Sequence, residues 1–155
     1  MTERLSLTDR SWPVQGRLTQ VHVALYHATR GRVGRHIPGR PPILLLTHVG
    51  AKSGKKRTTT LCYLPHDGSF VVVGAKSGYP RNPGWVHNLR AFPDTEVQVG
   101  PDTIKVHAHE ADPEERQRLS PEAARYSAAW GRYQQRTKRA FPLVLLTPRL
   151  TRISE

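Results

Sequence analysis

The sequence predicts an α+β chain whose body is a small antiparallel barrel or strongly curled sheet of about six strands. Three observations lead there. Short β-prone runs follow one another through hairpin signals, at His66-Asp67-Gly68-Ser69 and again at Gly100-Pro101-Asp102. Helical patterns stand only at the start, briefly after the third strand, and before the last strand. No βαβ alternation occurs, so a doubly wound nucleotide-binding sheet is not expected. With 155 residues, 37% of them hydrophobic, the chain suits one domain over residues 1–155, with 1–17 as a loose lead-in and 148–155 as a tail.

The first helix is expected over Arg17–Thr29, because Leu18, Val21, Leu25 and Ala28 fall at offsets of three, four and three on one face. Gly31 stops it, and residues 30–42 follow as a basic connector rich in Gly and Pro. Ile43–Thr47 is a continuous aliphatic run, the mark of a strand buried on both faces. Thr58–Leu64 is β-prone through its threonines and tyrosine, and Phe70–Ala75 returns after the Asp-Gly turn. Asn82 is the expected N-cap of a short helix with Pro83 as its first residue. Trp85, Asn88 and Leu89 share one face of that helix, and Phe92-Pro93-Asp94 ends it.

Glu96–Val99 and Thr103–Ala111 read as the next hairpin. Its second strand alternates Ile104, Val106 and Ala108 with Lys105, His107 and His109, which gives one dry and one wet face. Asp112 and Glu115 have capping-box spacing at the start of a helix. That helix restarts at Ser120-Pro121-Glu122 and runs to about Lys138. Leu143–Thr147 closes the sheet.

Charge is the strongest bulk feature. The 24 Lys and Arg against 12 Asp and Glu leave a formal +12, which calls for an acidic partner: nucleic acid, an anionic membrane surface or a polyanionic small molecule. The apolar runs are far shorter than the ~20 residues of a membrane span. The first ten residues hold no apolar signal core. Cys62 is the single cysteine, so no intrachain disulfide forms, in keeping with a reducing cytoplasm. The basic 30–42 connector could meet the inner face of an anionic membrane or remain a solvated linker. Monomer and homodimer both stay open.

The phrase that carries chemistry occurs twice. Gly50-Ala51-Lys52-Ser53-Gly54 follows the aliphatic run at 43–46, and Gly74-Ala75-Lys76-Ser77-Gly78 follows Phe70–Val73. Glycine lets backbone turn sharply and approach a ligand, and successive free N–H groups form a concavity for an anion. Lysine and serine add a charge and a hydroxyl. The first copy runs on into Lys55-Lys56-Arg57. Two such loops on neighbouring strands would make a two-sided cradle, whereas solvated hairpin turns are the plain alternative. Neither copy is a P-loop: the residue five after Gly50 is Lys55, and five after Gly74 is Tyr79, where that motif needs glycine.

Taken in order, Leu44–Thr47, Gly50-x-Lys52-Ser53-Gly54-x-x-Arg57, Tyr63-Leu64-x-x-Asp67-Gly68 and Asn82-Pro83-x-Trp85-x-x-Asn88-Leu89 resemble the deazaflavin-dependent nitroreductase family, over residues 18–147. The resemblance implies a split β-barrel and binding of coenzyme F420, a deazaflavin with a phosphodiester and a glutamate tail. It implies that Lys52, Ser53, Gly54, Lys55 and Arg57 hold the phosphate and tail. Gly74, Ala75 and Lys76 would stand beside the ring, with Trp85 and Asn88 lining the same cleft. Tyr126, Trp130 and Tyr133 would form an aromatic gate, and the candidate donors to a developing oxyanion are the hydroxyls of Tyr126 or Tyr133, or backbone N–H groups of the second loop. The sequence departs from the family pattern at Ala51, Thr60 and Phe92 and in the spacing of these late tyrosines.

The chemistry implied is hydride transfer between the deazaflavin and a small planar acceptor, a quinone or nitro-aromatic compound, with the protein supplying binding and orientation. Helix tyrosines at this spacing also serve as ordinary packing. His107 and His109 do not close a metal site, and Cys62 has no CxxC partner, so no metal is expected. The alternatives are a phosphate-binding basic module for nucleic acid, or the same barrel using FMN or haem. A nucleic-acid partner is not expected, since the basic loops lack interleaved aromatics for base stacking. FMN carries one phosphate, which the Lys52–Arg57 cations would exceed.

Overall fold

The computed structural model describes residues 12–38, 41–74, 82–126, 132 and 140–149. Its elements are α1 (Trp12–Ala28), β1 (Ile43–Val49), β2 (Lys56–Cys62), β3 (Leu64–His66), β4 (Ser69–Val73), α2 (Gly84–Ala91), β5 (Asp94–Val99), β6 (Asp102–Glu110), α3 (Pro113–Tyr126) and β7 (Leu143–Pro148). The strands form one seven-stranded sheet in the order β2-β1-β5-β6-β7-β4-β3, and each pairing is antiparallel.

The expected run Thr58–Leu64 divides at Tyr63 into β2 and β3, which raises the strand count to seven. β2 and β3 occupy the two ends of the sheet order, yet only Tyr63 separates them in the chain. A flat sheet cannot satisfy that, so the sheet curls until its ends meet. Tyr63 marks the crossing. Its N–H donates to the Pro42 carbonyl at 3.0 Å, and its buried ring meets Phe70 edge-on, with centroids 5.3 Å apart. The turn before β4 places Asp67 at φ 46° and Gly68 at φ 77°, the left-handed pair that a tight hairpin requires.

The interior of the curl is the main core. Leu44, Leu46, Val72, Val97, Val106 and Leu146 are each 0% exposed, and Trp85, Val86 and Leu89 of α2 pack among them. The alternation expected in β6 is present, with Val106 and Ala108 inward. Burial of this kind contributes about 25 cal/mol per Å² of apolar surface.

Both shorter helices begin with defined chemistry. α2 starts at Gly84, with Pro83 as its N-cap residue at ψ 151° and no side-chain cap bond. The start therefore lies one residue later than expected, because a proline at ψ 151° is still extended. In α3 the expected capping box forms. The Glu115 N–H donates to Asp112 Oδ1 at 2.9 Å, and the Asp112 N–H donates to Glu115 Oε2 at 3.1 Å. The continuation from 127 to about Lys138 lies outside the described residues, Arg132 apart.

α1 departs from expectation twice. It begins at Trp12, so residues 12–17 are helical rather than a loose lead-in; Pro13 is tolerated in the first turn, where its missing N–H has no intrahelical partner to lose. Its inward side is also different. Val21 and Leu25 are 66% and 45% exposed, whereas Val23 and Tyr26 are buried with Ile43 and Leu45. Apolar residues stand on more than one side of this helix, so periodicity alone does not choose. Tyr26 decides: its hydroxyl donates to the Ile43 carbonyl at 3.0 Å and accepts the Gly100 N–H at 2.8 Å, and burial raises its pKa.

Tyr26→Phe should lower unfolding stability by about 1–3 kcal/mol, because it leaves a buried carbonyl and a buried N–H without that hydroxyl. Urea denaturation, with m unchanged between variant and parent, is the measurement.

Candidate functional site

The first Gly-Ala-Lys-Ser-Gly phrase is the connection between β1 and β2. It closes on itself: the Gly50 N–H donates to the Lys55 carbonyl and the Gly54 N–H to the Gly50 carbonyl, both at 2.9 Å. Ser53 Oγ accepts the Lys55 N–H at 3.2 Å. Among the described residues nothing takes the N–H groups of Lys52 and Ser53. Residues 51–57 are all exposed. Lys52, Lys55 and Arg57 form no ion pair among the described residues, while Lys56 reaches Glu96 at 3.9 Å. A turn with such amides and cations has the donors and charge to receive an anion.

A line of hydrogen-bonded polar groups runs from this loop inward to the buried His48. The Ala51 N–H donates to Asn88 Oδ1 at 2.9 Å. That backbone donor fixes which end of the carboxamide faces it, so Asn88 Nδ2 faces His48 Nδ1, at 2.8 Å. Nδ2 only donates, so Nδ1 is the acceptor and the proton sits on Nε2, which donates to Thr59 Oγ1 at 2.9 Å. His48 is 5% exposed. Burial, with the nearby Arg57 cation, lowers its pKa from 6.5 to about 4. It is a neutral imidazole in a single tautomer.

The two copies of the repeated phrase are not on neighbouring strands. β5, β6 and β7 stand between β1 and β4 in the sheet order. α2 touches both the first phrase and Gly74, the first residue of the second. Asn88 holds Ala51, and two residues earlier Val86 packs against Gly74. A Cβ on Gly74 would meet Val86 Cγ2 at 3.0 Å and Pro142 at 3.1 Å, so only glycine fits there without a shift of its neighbours. The Gly74 N–H donates to the Pro142 carbonyl at 2.9 Å.

Of the other expected site residues, Trp85 is buried within the main core. Tyr126 is the last residue of α3. Ala75 and Lys76 of the second copy, and Trp130 and Tyr133 of the expected gate, lie outside the described residues. The strand histidines face carboxylates: His107 Nδ1 is 2.7 Å from Asp94 Oδ1, and His109 Nε2 is 2.8 Å from Glu115 Oε2. These contacts hold the Asp94 and Glu115 carboxyls below their ordinary pKa. Sequence reasoning passed over His48. The signal was its parity: it shares the inward face of β1 with Leu44 and Leu46, which places a titratable ring in the interior directly before the loop.

The family model described as F420H(2)-dependent quinone reductase matches residues 18–148. The chain belongs to this family. An F420H(2)-dependent quinone reductase of Mycobacterium tuberculosis is 41% identical over 140 residues, spanning 85% of this chain and 91% of that protein. A solved F420-H2 dependent reductase structure is 35% identical with a TM-score of 0.62, over 72% of this chain and 97% of the other. A second solved structure, described as a domain-swapped dimer, is 32% identical with a TM-score of 0.64, over 86% and 98%. These neighbours make the fold of this quinone reductase family member an α+β split barrel. The haem storage protein HutZ of Vibrio cholerae shares that fold at 12% identity and a TM-score of 0.52, covering 83% of this chain and 90% of its own.

The buried imidazole sets a pH dependence. Unfolded, His48 takes a proton near 6.5; folded, it resists one until about 4. The unfolded chain therefore binds the extra proton between these values, and stability is lost as pH falls through that window. The melting temperature should drop more between pH 7 and pH 4.5 in the parent than in His48→Asn, where nothing titrates at that position; equal slopes would mean that His48 charges freely in the folded state.

Proposed function

We propose that this chain passes a hydride between coenzyme F420 and a small planar acceptor, a quinone or nitro-aromatic compound, with the Gly50–Lys55 loop holding the cofactor's anionic tail. Family membership makes the chain an F420-dependent oxidoreductase. The observation that carries the site assignment is the self-closed loop whose Lys52 and Ser53 amides and Lys52, Lys55 and Arg57 cations have no partner among the described residues. The reduced deazaflavin supplies the hydride when bound, so the protein needs no side-chain nucleophile.

The residues then divide the work. Lys52, Ser53, Gly54, Lys55 and Arg57 bind phosphate and carboxylates, through charge and through backbone N–H groups. Gly74, Ala75 and Lys76 stand beside the ring. Asn88 serves from below by holding the Ala51 amide, and Trp85 backs the cleft from the core. Tyr126 and Tyr133 place hydroxyls at the acceptor, where a donor would stabilise negative charge developing on oxygen. The family match favours this reading over a nucleic-acid module and over FMN or haem. The single domain over residues 1–155 belongs to the same reading.

A cytoplasmic enzyme that touches the inner membrane surface is the fuller statement of where it works. No described helix is long and apolar enough to cross a membrane. Support for surface contact comes from α1 and the connector: Val21, Leu25 and Val33 are 66%, 45% and 46% exposed, and Arg30 and Arg32 beside them are exposed. Apolar residues rimmed by cations suit an anionic interface. Self-association would cover the same face. Co-sedimentation with anionic but not neutral vesicles supports the membrane reading, whereas a concentration-dependent dimer with no vesicle binding replaces it.

Fluorescence titration of oxidised coenzyme F420, with FMN and a short oligonucleotide in parallel, tests the cofactor. Saturable binding of the deazaflavin alone is expected. Lys52→Ala and Arg57→Ala should each weaken it by about 1.5–3 kcal/mol, the range for hydrogen bonds to charged groups, and the losses should shrink as salt rises. Unchanged affinity in both variants at low salt would remove the loop from the site. Tyr133→Phe should slow turnover more than it changes cofactor affinity; wild-type values for both would leave that tyrosine as packing.

A further inference from the structure

We infer that His48 is a positioning residue for the cofactor loop: through its Nδ1 acceptor it orients the Asn88 carboxamide, which in turn sets the Ala51 amide and the conformation of Gly50–Lys55. The inference deepens the reading of that loop as the tail-binding site, and rests on it for the effect on affinity alone. The geometry supports it at every link. The loop rests on the body of the protein through the Ala51–Asn88 bond at 2.9 Å, which sets the polarity of the carboxamide but, as a single bond, leaves it free to pivot unless its nitrogen end is held as well. His48 fixes it, at 2.8 Å. The ring cannot swing away, because Nε2 is held by Thr59 Oγ1 at 2.9 Å. Thr59 lies on β2, opposite Leu46 on β1, so the two strands that flank the loop also carry the line that orients it.

The groups facing the imidazole are Asn88 from α2, Thr59 from β2 and the Arg57 cation at the loop end of β2. None is an acid. No counter-charge therefore stabilises an imidazolium, and a protonated Nδ1 would point a donor at the donating Nδ2. The arrangement holds the loop in one state across the neutral range.

Two substitutions separate this role from packing. In His48→Asn the amide oxygen stands near the position of Nδ1 and still accepts from Asn88. In His48→Gln the amide stands near the position of Nε2, so the acceptor toward Asn88 is lost. Gln is the closer of the two in volume. If the ring only fills space, His48→Gln is the better tolerated; if Nδ1 orients Asn88, His48→Asn is.

The measurements are hydrogen exchange at the Ala51 amide in the ligand-free protein, and the Kd and kcat/KM split with coenzyme F420. His48→Gln should exchange Ala51 about tenfold faster and bind the deazaflavin about tenfold more weakly, the loss expected for about one hydrogen bond, with kcat little changed. His48→Asn should stay within about twofold of the parent in both. Imidazole 15N shifts of the unsubstituted protein give a check that survives poor folding of either variant: the Nε2–H tautomer is required, and an Nδ1–H tautomer overturns the inference. The reverse order of tolerance, or an Ala51 amide unmoved in both variants, overturns it too. If the exchange order holds but the parent binds no deazaflavin, positioning stands and the cofactor reading of the loop falls.

Discussion

The loop that gathers the site depends on one backbone donor. The Ala51 N–H cannot reverse its polarity, so each group beyond it is forced in turn: carboxamide oxygen, carboxamide nitrogen, imidazole Nδ1, imidazole Nε2–H and threonine oxygen. Buried polar groups are costly unless paired, and cooperative when every member is satisfied. Here the line ties together three things that the fold would otherwise leave independent. These are the end of β1, the middle of β2 and the middle of α2. The same helix carries Val86 against Gly74, so α2 touches both the first Gly-Ala-Lys-Ser-Gly phrase and the glycine that opens the second.

β1 is consequently anchored at both ends. At its start the Ile43 carbonyl receives the Tyr26 hydroxyl, which also holds Gly100 at the β5–β6 turn. At its end His48 and the loop are held from α2. Between them Leu44, Leu45 and Leu46 are buried almost completely. The aliphatic run supplies the driving force and leaves a strand free to slide; the two polar anchors fix its register. The curl of the sheet adds a second constraint, since the one-residue crossing at Tyr63 forces the two edges together.

Much of this was legible in the sequence where a local signal has one meaning. The Asp67-Gly68 turn, the Asp112–Glu115 capping box and the alternation of Val106 and Ala108 each follow from chemistry within a few residues. The inward face of α1 was not legible: Val21 and Leu25 match a helical stripe as well as Val23 does, and only the long-range bonds of the Tyr26 hydroxyl choose between them. Nor was the separation of β1 from β4. The repeat shows that two strands end alike and says nothing of what lies between them. His48 was missed because a histidine flanked by Thr47 and Val49 reads as ordinary strand, and its partners Asn88 and Thr59 come from other elements.

Charge distribution, rather than charge sum, separates the cradle from the rest of this basic surface. The hairpin β5–β6 and helix α3 set their carboxylates against basic side chains: Asp94 with His107 and Arg149, Glu110 with Arg90 at 2.8 Å, and Glu115 with His109. Exposed pairs of this sort add little to stability. Their consequence is negative charge beside the basic groups of that face, which makes it a poorer place for an anion. At the first loop Lys52, Lys55 and Arg57 have no such partner among the described residues, and the amides of Lys52 and Ser53 beside them have no acceptor among those residues. A nucleic-acid backbone asks for cations spread along a surface. Cations gathered on one turn around free N–H groups suit a compact anion followed by a short acidic tail, and the polar line from Ala51 to Thr59 is what keeps that turn in shape.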